Sequence, residues 1–252
     1  MRALNAMLVP LLLLLGAGPV AAATSYEAGN ALTFAPGSST APIRATIERA
    51  PFSGGADTLG SFPTFALADG SATDFDGTPR PVGQGFTLGA RVQGSTTGDP
   101  FVAQLARSFA EVTGKLTLTN VSALPGTMSF DIAADFAFST LFDNPAIETI
   151  FAKWGFTFGG LVPEDSINLS GFPDPLGMVM ATNQNVPLST GTFTGLGASF
   201  LVSPGQAREI TITLRAEGEG TQAVAAIPLP AAAPLMLSGL AGLGLLLRRR
   251  SA

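Results

Sequence analysis

Residues 128–138 leave the backbone little choice. Met128, Phe130, Ile132, Ala134, Phe136 and Phe138 share one parity, while Ser129, Asp131, Ala133, Asp135 and Ala137 share the other. Only an extended strand puts every second side chain on one face, and one apolar plus one polar face describes a half-buried antiparallel sheet. The rhythm recurs. Ile210, Ile212 and Leu214 alternate with Glu209, Thr211, Thr213 and Arg215. Leu116 and Leu118 alternate with Lys115, Thr117 and Thr119. Phe86, Leu88, Ala90 and Val92 alternate with Thr87, Gly89, Arg91 and Gln93, and Ile43, Ala45 and Ile47 with Arg44, Thr46 and Glu48. Phe200 and Val202 lead into Ser203-Pro204-Gly205, a turn signal. Such segments, bounded by Gly, Pro and Asn clusters, predict a mainly all-β fold, an antiparallel β-sandwich or a barrel.

Two stretches break the rhythm and leave room for one or two short helices. Asp99-Pro100 has the chemistry of a helix start ahead of Phe101, Leu105 and Phe109, with Gly114 beyond. Asn144-Pro145 stands in the same way before Ile147, Ile150, Phe151 and Trp154. Long loops between strands fit both stretches as well. Residues 50–85, rich in Gly, Pro and Asp, read as loops around one poor strand. No tandem repeat is evident, which argues against a solenoid.

The 252 residues include neither Cys nor His. That removes disulfides, thiolate zinc sites, cysteine nucleophiles, Ser-His-Asp triads and imidazole ligands. Of 13 basic residues, Arg2, Arg248, Arg249 and Arg250 lie at the chain ends, so 24–226 carries nine basic against 18 acidic groups. A body this acidic is a poor holder of phosphate backbones, and nucleic acid is not an expected partner.

The ends are addresses rather than fold. In 1–23, Arg2 precedes a compact apolar core over 8–15, a break over 16–19 and the small residues Val20-Ala21-Ala22-Ala23. This is the three-part pattern of a secretory signal peptide, with cleavage expected after Ala23. The apolar core is too short to span, since a span needs about 20 apolar residues. At the other end, 227–252 opens with Ile227-Pro228-Leu229-Pro230-Ala231, continues through the uncharged 235–247 and closes on Arg248, Arg249 and Arg250. The prolines hold the backbone extended, as a protease or transpeptidase requires. The 17 residues from Ala231 to Leu247 make a transmembrane helix about 26 Å long, marginal for a hydrocarbon core about 30 Å thick. The arginines place the tail end in the cytoplasm and the body outside, in agreement with the leader.

This tail resembles a PEP-CTERM-type sorting signal in its V-P-L-P-A variant: a Pro-x-Pro motif, an apolar helix and an Arg cluster, in that order. Ile227 stands where the variant has Val, and Leu229 where the commonest form has Glu. The resemblance covers about a tenth of the chain and says nothing of the body's activity. It implies export in a Gram-negative bacterium, transient inner-membrane anchoring, and processing by an exosortase, an integral-membrane cysteine transpeptidase. It makes Ile227, Pro228, Leu229, Pro230 and Ala231 the sorting box, and Arg248, Arg249 and Arg250 the cytoplasmic stop.

The body offers little chemistry. Asp69, Asp74 and Asp76 in DGSATDFDG are oxygen ligands of the kind calcium takes, but no bidentate Glu follows at the expected distance, and a polar turn fits better. Asp131 and Asp135 lie about 13 Å apart along one strand face, too far for a glycosidase pair, so they read as solvated charges. Glu164 and Asp165 follow Pro163 in a loop. With 18 Phe but one Trp and one Tyr, the aromatics suit an interior more than a sugar platform. No phosphate-binding glycine loop is present. The expectation is a non-enzymatic cell-surface or extracellular-matrix protein of structural or adhesive role, without cofactor or metal, that is an exosortase substrate. An exopolysaccharide is its candidate partner, and the membrane is contacted through the tail helix before processing. Two alternatives stay open: a secreted glycan-binding module or weak carboxylate hydrolase, and a plain single-pass membrane protein.

Overall fold

The computed structural model describes residues 22–49, 52–59, 64–72, 80–82, 85–98, 102–170 and 178–224. Thirteen strands run in chain order: β1 (Ala22–Ser39), β2 (Ile43–Arg49), β3 (Ser53–Leu59), β4 (Thr64–Ala72), β5 (Arg80–Pro81), β6 (Phe86–Gly98), β7 (Gln104–Asn120), β8 (Gly126–Phe142), β9 (Glu148–Gly159), β10 (Ser166–Asn168), β11 (Met178–Thr182), β12 (Val186–Val202) and β13 (Ala207–Gln222). They form two antiparallel sheets. The six-stranded sheet has the order β10-β12-β8-β1-β6-β4; the seven-stranded sheet has β11-β9-β13-β7-β2-β5, with β3 also on β7. Strands β2 and β3 share one edge of β7, pairing with its later and earlier halves.

The inner faces meet in one sandwich-like core. Every residue of the apolar parity in 128–138 is buried except Phe136, which is half-buried and packs against the same core. Ile210, Ile212, Leu214, Leu116 and Leu118 are fully enclosed, as are Leu88 and Val92. Each such side chain contributes about 1.5–3 kcal/mol of burial. The turn expected at Ser203-Pro204-Gly205 joins β12 to β13, with Gly205 at φ 62° and its amide donating to the Ser122 carbonyl at 3.2 Å.

Both helix expectations are corrected, because the described residues of each stretch form strands and turns. Leu105 and Phe109 are four apart, a spacing that one helix face and one strand face share. In β7 they point outward, while Gln104, Ala106, Ser108 and Ala110 are buried. Phe101 lies outside the described residues. In the second stretch Asn144 caps a single turn: its Oδ1 accepts from the Ala146 amide (3.1 Å) and its carbonyl from the Ile147 and Glu148 amides. The chain then enters β9, where Ile150 and Trp154 point inward and Phe151 outward. The loop reading of 50–85 is corrected as well. Edge strands β3 and β4 form there, because main-chain pairing to β7 and β6 holds an edge strand without an apolar stripe. The β3 side chains are nearly all exposed.

Among the described residues no helix is long and apolar enough to cross a membrane. The expected tail helix lies outside them.

The core differs along its length. Toward the end of β1, Phe34 stacks on Phe86 (centroids 4.7 Å apart, 8° between planes) and meets Phe130 and Phe158 edge-on at 6.4 and 6.2 Å. Phe130 in turn touches Phe200 at 6.1 Å. Toward the start of β1 the buried side chains include the polar Thr24, Tyr26, Thr96, Gln104, Ser108, Glu148 and Gln222 beside the apolar Ala106 and Ile150.

Candidate functional site

The strand registers gather the chain's two exits at the polar end. Ala22 pairs with Gly98 and Thr24 with Phe142, so β1 starts where β6 and β8 finish. Gln222 pairs with both Gln104 and Glu148, so β13 finishes where β7 and β9 start. Strands β1 and β13 are interior strands of opposite sheets, and packed sheets lie about 10 Å apart. The segments leading to 1–21 and 225–252 therefore depart from the same end of the sandwich. Ala23, the expected cleavage position, is the second residue of β1, paired with Thr97. The sorting box Ile227, Pro228, Leu229, Pro230 and Ala231, and the stop Arg248, Arg249 and Arg250, lie outside the described residues.

The polar side chains at this end are organised. Thr24 and Thr96 share a hydroxyl hydrogen bond of 2.6 Å. Tyr26, on β1, reaches across the core to share one of 2.8 Å with Ser108 on β7. It fits because residues 94 and 218 are glycines: a Cβ at either would fall on the Tyr26 ring or hydroxyl. Burial pushes the phenol up to about 12, against the pull of Ser108, and nearby Glu219 adds to the rise. Gln104, Gln222 and Glu148 then form a buried row across three adjacent strands. Glu148 Oε2 accepts from the Asp143 and Asn144 amides, both at 2.7 Å. Its Oε1 has no partner, and neither does either carboxamide atom of Gln222.

The acidic candidates are placed as follows. Asp131 and Asp135 are exposed on the outer face of β8, where Asp135 accepts a bond from Thr192 on β12. Glu164 is exposed. Asp165 is structural: Arg208 Nη1 donates to its Oδ1 at 2.7 Å and Nη2 to its Oδ2, while the Val162 and Leu201 amides donate to it at 2.9 and 3.1 Å. Burial would raise the Asp165 carboxyl, but these donors outweigh it and hold the group below the usual carboxylate range. The pair ties the 160–165 loop to the end of β12 and the start of β13, through Arg208 bonds to the carbonyls of Gly160 (2.6 Å) and Leu201 (2.9 Å). Asp69 is in β4, paired with Arg91; Asp74 and Asp76 lie outside the described residues. Among the described residues no group of three or more acidic side chains is placed to hold a metal ion.

The outer face of the seven-stranded sheet carries a ladder of ion pairs: Arg107 with Glu219 (3.5 Å), Lys153 with Glu217 (2.8 Å), Lys115 with Glu209 (2.9 Å), and Arg215 with both Glu111 (3.6 Å) and Glu217. An open groove of about 620 Å³ runs over it beside Phe109 and Phe151. The carboxylates in this ladder face cations rather than each other. Glu217 illustrates this: burial raises its carboxyl, Lys153 and Arg215 together lower it by more, and the net direction is down.

Sequence reasoning passed over Gln104, Glu148 and Gln222. The signal was parity: in β7 and β13, Gln104 and Gln222 sit in phase with the residues that point inward. A polar residue on the buried parity marks a place where the core stops being apolar.

No protein-family model, curated protein or solved structure matches the chain.

Proposed function

We propose that this is an exported protein delivered to the cell surface or extracellular matrix as the substrate of an exosortase-type transpeptidase, with a body of structural or adhesive rather than enzymatic role. The observation that carries this reading is the tail: Pro228-Leu229-Pro230, then an uncharged apolar run, then three arginines, with a secretory leader pattern of agreeing topology at the other end. An anchor alone has no need of an extended Pro-x-Pro strip just outside a marginal span.

The body suits that handling. The last strand, β13, ends at Gln222, five residues before Ile227, so a cut at the box leaves every described strand whole. Both exits leave from one end of the sandwich, and leader and tail can hold that end toward the membrane while the far end is presented outward. After transfer the sandwich would stand on its polar end, with the loops at its phenylalanine end outermost. An exopolysaccharide is the partner this placement suits.

Replacing Pro228 and Pro230 with alanine tests the box. The native cell should then retain the full tail in its inner membrane, read by fractionation and by mass spectrometry of the carboxyl-terminal peptide. Unchanged processing would reject the assignment. A wild-type protein that permanently keeps its arginines would instead mark a plain single-pass anchor.

A further inference from the structure

The outer face of the seven-stranded sheet is mostly charged and hydroxylated, yet it brings two aromatic rings to one place. Among the outward residues of β7, β13 and β9 these are Phe109 and Phe151, and both line the open groove of about 620 Å³. Phe109 is opposite Glu217 in register and Phe151 opposite Glu219, so the rings flank β13 on a diagonal. Two strand spacings and two residue rises put their Cα atoms about 12 Å apart. Phe109 is 42% exposed and leans over Gly55 of β3, where a Cβ would come within 3.3 Å of its ring.

The floor beside the rings holds an ion pair that does not close. Lys153 and Arg215 both make short contacts to Glu217. Arg107 and Glu219 stop at 3.5 Å, beyond the usual hydrogen-bond distance of about 2.7–3.2 Å, and both side chains are open to solvent. Arg107, Glu219 and Phe151 form one cross-strand row, and Phe109 is two residues along β7 from Arg107. A guanidinium only donates and a carboxylate only accepts. A hydroxyl does both, so a single oxygen bridges such a gap. The ladder's cations Arg107, Lys153 and Arg215 are balanced by Glu111, Glu217 and Glu219, and Asp57 on the β3 wall of the groove adds a further negative charge. Such a floor has no excess of cations to hold a polyanion.

We propose that this groove binds an uncharged polysaccharide. The apolar face of a sugar ring stacks on Phe109, and hydroxyls bridge Arg107 to Glu219. Phenylalanine lacks the polar handle of tyrosine or tryptophan; here the neighbouring guanidinium and carboxylate supply it. Lys153 Nζ stands 5.7 Å from the centroid of the Phe151 ring, which leaves Phe109 as the main platform and Phe151 as the far wall. An open groove that runs past both rings suits the interior of a long chain better than a small molecule, which is held in an enclosing cleft. This inference gives the exopolysaccharide partnership proposed above a site, and it rests on that reading for the source of the polymer.

The test uses the protein isolated from its own cell. Its carboxyl-terminal mass is determined first, which reads tail processing separately. Affinity electrophoresis then follows retardation by that cell's exopolysaccharide, by hydroxyethylcellulose, laminarin, dextran and galactomannan, and by polygalacturonate as a polyanion. The wild-type protein should be retarded by at least one uncharged polymer and not by polygalacturonate, and high salt should leave the retardation in place. Phe109→Ala should bind at least about tenfold more weakly, and Arg107→Ala about threefold more weakly. Phe109→Leu keeps the apolar bulk without the ring face; it should lose nearly as much as Phe109→Ala, and it decides the matter if Phe109→Ala does not fold. Asp131→Asn, on the outer face of the other sheet, should bind as the wild type does. No retardation by any uncharged polymer, undiminished binding in Phe109→Leu, or binding that salt abolishes would overturn the groove. A trimmed tail without binding overturns the groove alone, and an untrimmed tail with binding overturns the sorting reading alone.

Discussion

The two ends of this core solve the same problem with different chemistry. At one end Phe34, Phe86, Phe130, Phe158 and Phe200 fill the space between the sheets with ring contacts, each pair adding about 0.5–1.5 kcal/mol beyond area burial. At the other, hydroxyls, amides and one carboxyl group share the layer with Ala106 and Ile150, and hydrogen bonds such as Thr24–Thr96 and Tyr26–Ser108 add to its cohesion. Apolar packing is insensitive to pH and forgiving of partner identity. A buried polar layer is directional, and its worth depends on every group being satisfied. The chain leaves the sandwich at the polar end, where leader and tail are expected to be cut.

The largest blow to that contrast should come from Phe34→Ala. It empties a site among three aromatic rings and should cost about 3–5 kcal/mol, measured by urea unfolding followed through Trp154, the chain's one tryptophan. Next, Gly218→Ala should cost about 1–3 kcal/mol, since the new methyl displaces the Tyr26 ring. In a Tyr26→Ala background the same change should cost no more than about 0.5 kcal/mol. A persistent penalty there would mean that backbone, not the ring, demands the glycine.

The finest test separates the ends by pH. Tyr26 is raised in the folded state to about 12, so its contribution is whole below the ordinary tyrosine value near 10 and fades as pH climbs through the folded one. It is the chain's one tyrosine, and tyrosinate absorbance should appear near 12 in the native protein. Asp165, at the phenylalanine end, is lowered in the folded state. Its contribution is present above the ordinary carboxylate value and is lost as pH falls through the folded one. Asp165→Asn should flatten the acid side of the stability profile and leave the alkaline side alone; Tyr26→Phe should do the reverse.

Much of the fold was legible because alternation is a local property. The parity of 128–138 and of Ile210, Ile212 and Leu214 is decided within a single strand, and the sheets keep it. The reading failed where two periods coincide, as at Leu105 and Phe109, whose spacing suits either backbone. It also failed at β3 and β4, where the pairing strand lies far along the chain. The pairing of Glu148 with Gln222 was not legible for a different reason. Parity marks Gln222 as inward within β13, but only the register of β13 with β9 sets it opposite Glu148.

What the sequence determined by itself was therefore the strand character of the body, which follows from neighbours a few residues apart, and its acidity, which follows from composition. The tertiary structure decided which faces meet, that buried polar groups gather at one end of the core, and that β1 begins and β13 finishes at that end. Those depend on contacts between residues more than a hundred positions apart, such as Thr24 with Phe142, which no local pattern encodes.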